Sequence, residues 1–218
     1  MSDFINSKQQ WEQSLLYSFL DMVRASDGDF AVLDQLGRAS SDSESAQLMI
    51  ERISQHSQGK KAFESRFSLG TIDLEELRKL PDNTLGRFYA EHMLHNQLKP
   101  LQSQPAESDH HFLATHLTET HDIWHVVTGS KTDILGEIQL EAFYVAQLEV
   151  SRFWLALLAK NLLKSVVYDI EISTQYMEAL TNGWSMGKKA QTLFGIDWNT
   201  LWETPIEQVR ASLNILDA

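Results

Sequence analysis

The chain contains no cysteine. That removes disulfides and thiolate metal ligands together, so any metal must be held by histidine, carboxylate and water. Its four prolines and ten glycines are widely scattered over 218 residues, too few for a turn-rich β fold, and they favour long helices. No uncharged apolar run approaches the roughly 20 residues that span a bilayer, and the N-terminus lacks the basic, apolar, small-residue order of a secretory signal. Basic clusters are missing as well: 18 Lys/Arg against 30 Asp/Glu give a formal net charge of −12, the wrong sign for a nucleic-acid partner. The absences together predict a cytoplasmic protein, with peripheral contact at the inner face of the cell membrane left open.

What is present is an ordinary globular composition, 43% hydrophobic and 22% charged, on a chain long enough to bury one good core. Apolar residues at helical spacing (Trp11, Leu15, Leu16, Phe19, Met22, Val23) predict a first helix that stops at Ser26-Asp27-Gly28-Asp29. A short helix through Phe30, Leu33 and Leu36 follows. Ser40 to Ser43 form a polar hinge, with Glu44 placed for a capping box, and a helix over 43–56 comes next. Gln58 to Lys61 read as an interruption before another short helix through Ala62, Phe63 and Phe67. Asp73 opens a helix that Pro81 stops, and Asp82 or Asn83 caps the next, which carries Gly86, Arg87 and Tyr89. After Pro100 and Pro105, helix resumes at about Asp109. From Asp133 to Lys164 one strongly apolar run places Glu141, Glu149, Arg152 and Lys160 on a single polar face. Gly183 and Gly187 suit close helix packing, and Trp202-Glu203-Thr204-Pro205 starts a last helix. With no β-like alternation and no repeat, the fold class is all-α. It reads as one helical domain over residues 1–218, with 1–60 an N-terminal portion and 61–210 the core.

The chemistry concentrates in His121-Asp122-Ile123-Trp124-His125 and Glu137. The two histidines are four residues apart and share a helix face. Thr128 to Asp133 read as a helix stop, a turn and a new N-cap. His125 lies four residues before Gly129 and Glu137 four after Asp133, so in a helical hairpin both sit at one depth, roughly 6 Å below the turn. Two imidazoles and one or two carboxylates then converge on a divalent metal (zinc, manganese, cobalt or iron, with magnesium admitted), and fewer than four firm ligands leave a position open for chemistry. Asp122, about 100° around the helix, reads as a ligand, an orienter or a base. The plain alternative is two ordinary helical histidines among eight. The pattern is not the His-Glu-x-x-His of zinc peptidases, nor the doubled Glu-x-x-His of di-iron bundles. A His-Asp phosphohydrolase would use His121-Asp122 with a further histidine upstream and an aspartate downstream that no clear pattern marks, and it stays as a weaker alternative that predicts phosphate release.

His92, His95, His110, His111 and His116 read as solvated or structural, with His116 a candidate support behind a ligand. Arg87, near a helix N-terminus, is either in a surface ion pair or holds a phosphate or carboxylate. The apolar stretch with Phe143, Leu148 and Trp154 is core by base rate. Its lysine-bearing part, residues 153–164, also suits an interfacial contact or a lip where a lipid enters.

The pattern His121-Asp122-x-x-His125, eleven residues, then Glu137 resembles the signature of the "Coq-four" family of coenzyme Q biosynthesis proteins. Leu80 to Arg87 with Tyr89, Leu135-Gly136-Glu137, Trp184, Gly187 and Trp202 to Pro205 resemble the family's flanking segments. The likeness covers about residues 60–210. It implies an all-helical, dimerising protein that binds isoprenoid lipid in a hydrophobic tunnel between helices and associates peripherally with membrane. It further implies a metal, described as zinc, on His121, Asp122, His125 and Glu137. The implied function is ubiquinone biosynthesis, as organiser of other quinone-biosynthesis proteins and as a lyase-type enzyme that oxidatively decarboxylates a prenylated 4-hydroxybenzoate. Asp122, His125 and Glu137 would be its catalytic residues, and Arg87, Phe143, Leu148 and Trp154 its lipid or phosphate contacts. The missing mitochondrial segment suggests a bacterial member. The alternative is a non-catalytic isoprenoid-binding scaffold.

Overall fold

A computed structural model describes residues 2–25, 43–101 and 105–215. The elements in order are α1 (Ser2–Arg24), α2 (Ser43–Ser54), α3 (Ser57–Ser65), α4 (Leu74–Leu77), α5 (Leu85–His95), α6 (Asp109–Thr128), α7 (Ile134–Leu148), α8 (Arg152–Tyr168), α9 (Ser173–Lys189) and α10 (Ile206–Ser212). Two short 3₁₀ turns at Ile170–Ile172 and Trp198–Thr200 complete the set. Among the described residues there is no strand, only an isolated bridge between Thr84 and Pro205. The all-α expectation therefore holds. The expected stop at 26–29, the short helix through 30–37 and most of the 40–43 hinge lie outside the described residues.

Several expected boundaries shift, each for a physical reason. Gly59 does not interrupt: α3 runs through it, and the glycine instead permits a close approach, since a Cβ there would fall 2.4 Å from the Ile53 carbonyl oxygen. The break comes at extended His56, and α3 ends at Arg66 in the left-handed region, leaving Phe67 beyond the helix. The cap of α5 is Thr84, whose hydroxyl accepts the Arg87 N–H, rather than Asp82 or Asn83. The single run from Asp133 to Lys164 is two helices. Glu149 adopts φ 60° after α7, and Ser151 caps α8 by accepting the Trp154 N–H. The polar face expected across that run dissolves with it, because Glu141 points into the interior and is buried. On α1, Leu16 is exposed, whereas Met22 and Val23 are buried.

The core is built around Trp124, Tyr89, Tyr144, Phe112, Phe143 and Trp198, all fully buried. Helices α7 and α9 form the tightest pair, and small residues explain it. A Cβ on Gly183 would lie 1.9 Å from the Gln139 carbonyl oxygen, and one on Gly187 2.9 Å from that of Phe143. Outside this pair, α8 covers α7, and α1 lies on α8 through Leu15, Phe19 and Met22 against Phe153 and Leu157. The C-terminal stretch clamps α5: the orphan N–H groups of Leu85 and Gly86 reach the carbonyls of Thr204 and Trp202, each at 2.9 Å, and Ile206 N–H reaches Asn83 at 2.8 Å. Among the described residues, no helix is long and apolar enough to cross a membrane.

Buried Glu141 is a second feature of the α7–α8 contact. One carboxylate oxygen accepts from Asn161 Nδ2 at 2.7 Å. Burial pushes its pKa up to about 8, against the opposing influence of Lys160 and Asn161.

Two outcomes follow from this packing. Gly183→Ala drives a methyl into α7 backbone and should destabilise the fold by about 1–3 kcal/mol or more in urea denaturation, while Gly70→Ala, at a site with no atom within 4 Å, tests only its φ of +68°. Glu141→Gln removes a group whose folded pKa is raised. Wild type then loses stability as pH rises from the ordinary carboxylate range to about 8, and the variant does not. The gap in unfolding free energy in favour of Glu141→Gln, read from urea melts at each pH, should open across that window and reach a few kcal/mol at most. A gap that stays constant with pH would contradict the neutral assignment.

Candidate metal centre

The site is made by the hairpin between α6 and α7. Helix α6 starts at Ser108, whose hydroxyl accepts the His111 N–H, and stops at Gly129 with φ 69°. Helix α7 starts at Asp133, whose carboxylate accepts the Gly136 N–H at 2.9 Å. Gly136 is required by the closeness of the turn to the helix it opens: a Cβ there would fall 2.0 Å from the Lys131 carbonyl oxygen. At the other end, Arg210 donates from Nε and Nη2 to the carbonyls of Val127 and Val126, each at 3.0 Å, satisfying the last turn of α6.

This geometry brings one ligand atom each of His121, His125 and Glu137 within 4.8 Å of one another. His125 is buried, and its Nδ1 lies 3.0 Å from the Ser130 carbonyl oxygen. A carbonyl only accepts, so Nδ1 carries the proton and Nε2 faces Glu137 Oε1 at 3.3 Å. His121 sits one turn earlier. Its Nδ1 is 3.4 Å from the Tyr144 hydroxyl, and its ring stacks on Tyr144 and Trp154. Trp154, Tyr144 and Trp124 continue as a parallel stack with centroid separations of 3.9 and 4.3 Å.

The charges follow from burial and partners. Burial, with help from His125, lowers His121 to about 4, so it is a neutral imidazole. Burial also pulls His125 down, but the Glu137 hydrogen bond and charge outweigh it, and its pKa ends above the ordinary value. Burial pushes Glu137 up, and His125 and His121 more than reverse that. Asp122 follows the same pattern, with His92 the leading influence against burial. Two imidazoles and a carboxylate, with no sulfur, make a donor set that fits a zinc-like divalent ion and leaves coordination positions open.

The remaining candidates are placed as follows. Asp122 stands beside the three converging groups, its Oδ1 3.8 Å from His92 Nε2. Arg87 is occupied: Nε pairs with Glu91 at 2.6 Å, Nη2 lies 3.6 Å from Asp82, and Nη1 donates to the Arg78 carbonyl. Phe143 and Leu148 are fully buried core residues, Phe143 edge-on to Trp124. Trp154 reaches the site through its stack on His121. His116 is structural: it is packed among Phe67, Phe112 and Phe194, and its Nε2 accepts the Gly195 N–H at 3.1 Å.

Sequence reasoning passed over three participants. Ser130 acts through its backbone carbonyl, which no side-chain pattern marks. Tyr144 is seven residues after Glu137, a spacing that puts it on the same face of α7. His92 arrives from α5 by tertiary packing and stacks on His125 at 5.6 Å. Nearby, a cleft of about 790 Å³ is lined by His125, His92, His95, Arg78, Lys131 and Arg210 among others. It is open, has a mixed polar and apolar lining that includes Phe88, Leu94 and Val126, and reaches the centre at His125.

Metal must displace the proton that His125 shares with Glu137. Because the His125 pKa is raised, zinc or cobalt affinity should climb with pH through and above the ordinary histidine range, then level off. Chelator competition between about pH 5.5 and 8.5 measures this, and affinity that does not change with pH there would contradict the assigned pairing.

The family model described as "Coenzyme Q (ubiquinone) biosynthesis protein Coq4" matches residues 4–218. The mitochondrial ubiquinone biosynthesis protein COQ4 homolog of Bos taurus is 27% identical over 193 residues, covering 84% of this chain and 64% of its own. That of Homo sapiens is 26% identical over 191 residues, covering 84% and 63%. The chain thus spans a little over three fifths of the length of these relatives. The crystal structure of a protein from Nostoc punctiforme PCC 73102, assigned to ubiquinone biosynthesis, superimposes with a TM-score of 0.85 at 25% identity, covering 94% of this chain and 99% of that one. From a match that runs nearly end to end and takes in the whole His121–Glu137 hairpin, the chain belongs to the coenzyme Q (ubiquinone) biosynthesis protein Coq4 family.

Proposed function

We propose that this protein is a metal-dependent enzyme of ubiquinone-type synthesis that oxidatively decarboxylates a prenylated 4-hydroxybenzoate-type ring. The observation that carries the reading is the convergence of His121, His125 and Glu137, with His125 lining an open cleft. His121, His125 and Glu137 would hold the divalent metal, zinc first among the candidates, with Asp122 at its rim. When bound, the metal supplies Lewis acidity toward the ring's carboxylate and phenolate oxygens.

The chain's own residues do the rest. Ser130 fixes His125 in one tautomer. Asp122, anionic and partly exposed, moves a proton at the ring oxygen. The Tyr144–Trp154 stack closes the inner wall against water and offers a flat aromatic face. The cationic groups of the cleft, Arg78, Lys131 and Arg210, favour an anionic ring on a chain whose net charge is −12. The carboxyl carbon leaves as carbon dioxide, and hydroxylation of that ring position uses an external oxidant of the dioxygen class.

The tail of such a substrate needs an apolar environment. Beyond Trp154, Leu155 is exposed, and Val166, Val167 and Tyr168 at the C-terminal end of α8 and Ile170 in the turn that follows are exposed as well, with Lys160 and Lys164 on the same helix. Within residues 153–164 α1 covers Phe153 and Leu157, so a peripheral membrane contact is best supported at Leu155 and at the C-terminal end of α8 with the turn beyond, where an isoprenoid tail would enter a tunnel between helices. The same reading makes a homodimer and the other quinone-biosynthesis proteins its partners.

The test supplies zinc, or another divalent ion in turn, dioxygen and a short-chain prenylated 4-hydroxybenzoate to purified protein, and follows carbon dioxide and the hydroxylated ring by mass spectrometry. Turnover should appear only with metal. His125→Ala and Glu137→Ala should each lower it about a hundredfold or more, since a Lewis-acid metal supplies several kcal/mol of transition-state stabilisation. Tight lipid binding with no metal-dependent turnover would instead make the protein an isoprenoid-binding scaffold.

A further inference from the structure

We infer that His92 is a positioning residue of the metal centre, one side chain that fixes both Asp122 and His125. The inference rests on the metal-centre reading above and adds a residue from a different helix to it. His92 lies on α5, and its side chain is 14% exposed. Its ring stacks on His125 with centroids 5.6 Å apart and planes 26° from parallel. Both rings also line the open cleft.

The other end of the ring addresses Asp122. His92 Nε2 is buried and has no hydrogen-bond partner at ordinary distance, yet Asp122 Oδ1 stands 3.8 Å away. A buried ring nitrogen without a partner is costly, and the anionic oxygen in front of it is the acceptor that a small side-chain rotation would reach. In that arrangement Nε2–H donates to Asp122.

Each of the other imidazoles at the site already has such a support. His125 Nδ1–H donates to the Ser130 carbonyl at 3.0 Å, and Tyr144 stands 3.4 Å from His121 Nδ1. Metal-binding side chains are commonly oriented this way by a hydrogen-bonding group behind them, and loss of that group weakens metal binding about 10–100-fold. His92 gives Asp122 the corresponding support and, through the stack, stiffens His125 as well. A carboxylate left to swing freely at the rim contributes less to holding the ion, and His92 limits that swing.

Three variants separate the two functions of the ring. His92→Phe keeps a flat ring for stacking but has no N–H, His92→Gln keeps an N–H donor without the ring, and His92→Ala has neither. The full-length protein is titrated with cobalt and zinc under chelator competition, and the visible absorption of bound cobalt is recorded. His92→Phe should bind cobalt about 10–100-fold more weakly than wild type and with shifted bands. His92→Gln should recover a large part of the affinity and of the wild-type band positions, and His92→Ala should be the weakest binder.

Cobalt affinity and bands of His92→Phe identical to wild type would overturn the role of His92 while leaving the metal centre standing. If wild type itself takes up no metal, the metal-centre reading falls, and this inference with it. Should His92→Phe fail to fold, the pair His92→Gln and His92→Ala decides: equal affinity in the two overturns the proposal, and tighter binding by His92→Gln supports it.

Discussion

The centre depends on one hydrogen bond, from His125 Nδ1–H to the Ser130 carbonyl. It ties a ligand on the last turn of α6 to the backbone of the turn that follows. It also chooses the tautomer, so that Nε2 faces across the hairpin. For that bond to form, the chain must reverse within a few residues. Gly129 supplies the left-handed conformation that ends α6, and Gly136 lets the Lys131 carbonyl lie almost on the backbone of α7. Glu137 is the next residue. Its place opposite His125 is therefore a consequence of the glycine before it, which gives a physical reason for the Leu135-Gly136-Glu137 segment.

A second constraint acts from outside the hairpin. The stretch Trp202 to Ile206 supplies carbonyls to the first N–H groups of α5 and receives one bond back from Asn83. Helix α5 carries His92, and α10, which follows the same stretch, carries Arg210 onto the last carbonyls of α6. The clamp therefore fixes both the wall behind His125 and the end of the helix that bears it. The two sequence segments on which the family likeness partly rested, Leu80–Arg87 and Trp202–Pro205, are partners in space. Neither supplies a ligand, yet both position elements that do.

This explains what was legible in the sequence. The hairpin could be read because its information is local: a stop, a cap and two ligands at equal distance from the turn. The close packing of α7 on α9 was readable for a similar reason, from glycines four residues apart at Gly183 and Gly187. The division between α7 and α8 was not, because Glu149 takes a positive φ of 60° with neither glycine nor proline to announce it. Gly59 misled in the opposite direction, being a packing contact that looked like a break. Whether a glycine serves conformation or contact depends on what lies opposite, and that is a tertiary fact. His92 was illegible for the same reason: a lone histidine on α5 says nothing until α6 lies against it.

Helix α7 carries two glutamates one turn apart, and their different charges show how the fold allots function. Both lose water, Glu141 almost entirely and Glu137 in part, and that loss by itself pushes both pKa values up. Glu137 faces two imidazoles, and their favourable interaction keeps it anionic. Glu141 faces the amide of Asn161, which offers one hydrogen bond and little compensation, so it holds its proton to about 8. Two anions at that depth would repel each other and draw a cation toward the α7–α8 contact. With Glu141 neutral, the negative charge on α7 is concentrated at the mouth of the hairpin beside His125. The carboxylate available to a metal is thus set by which partner each glutamate meets, while the helix that presents them is the same.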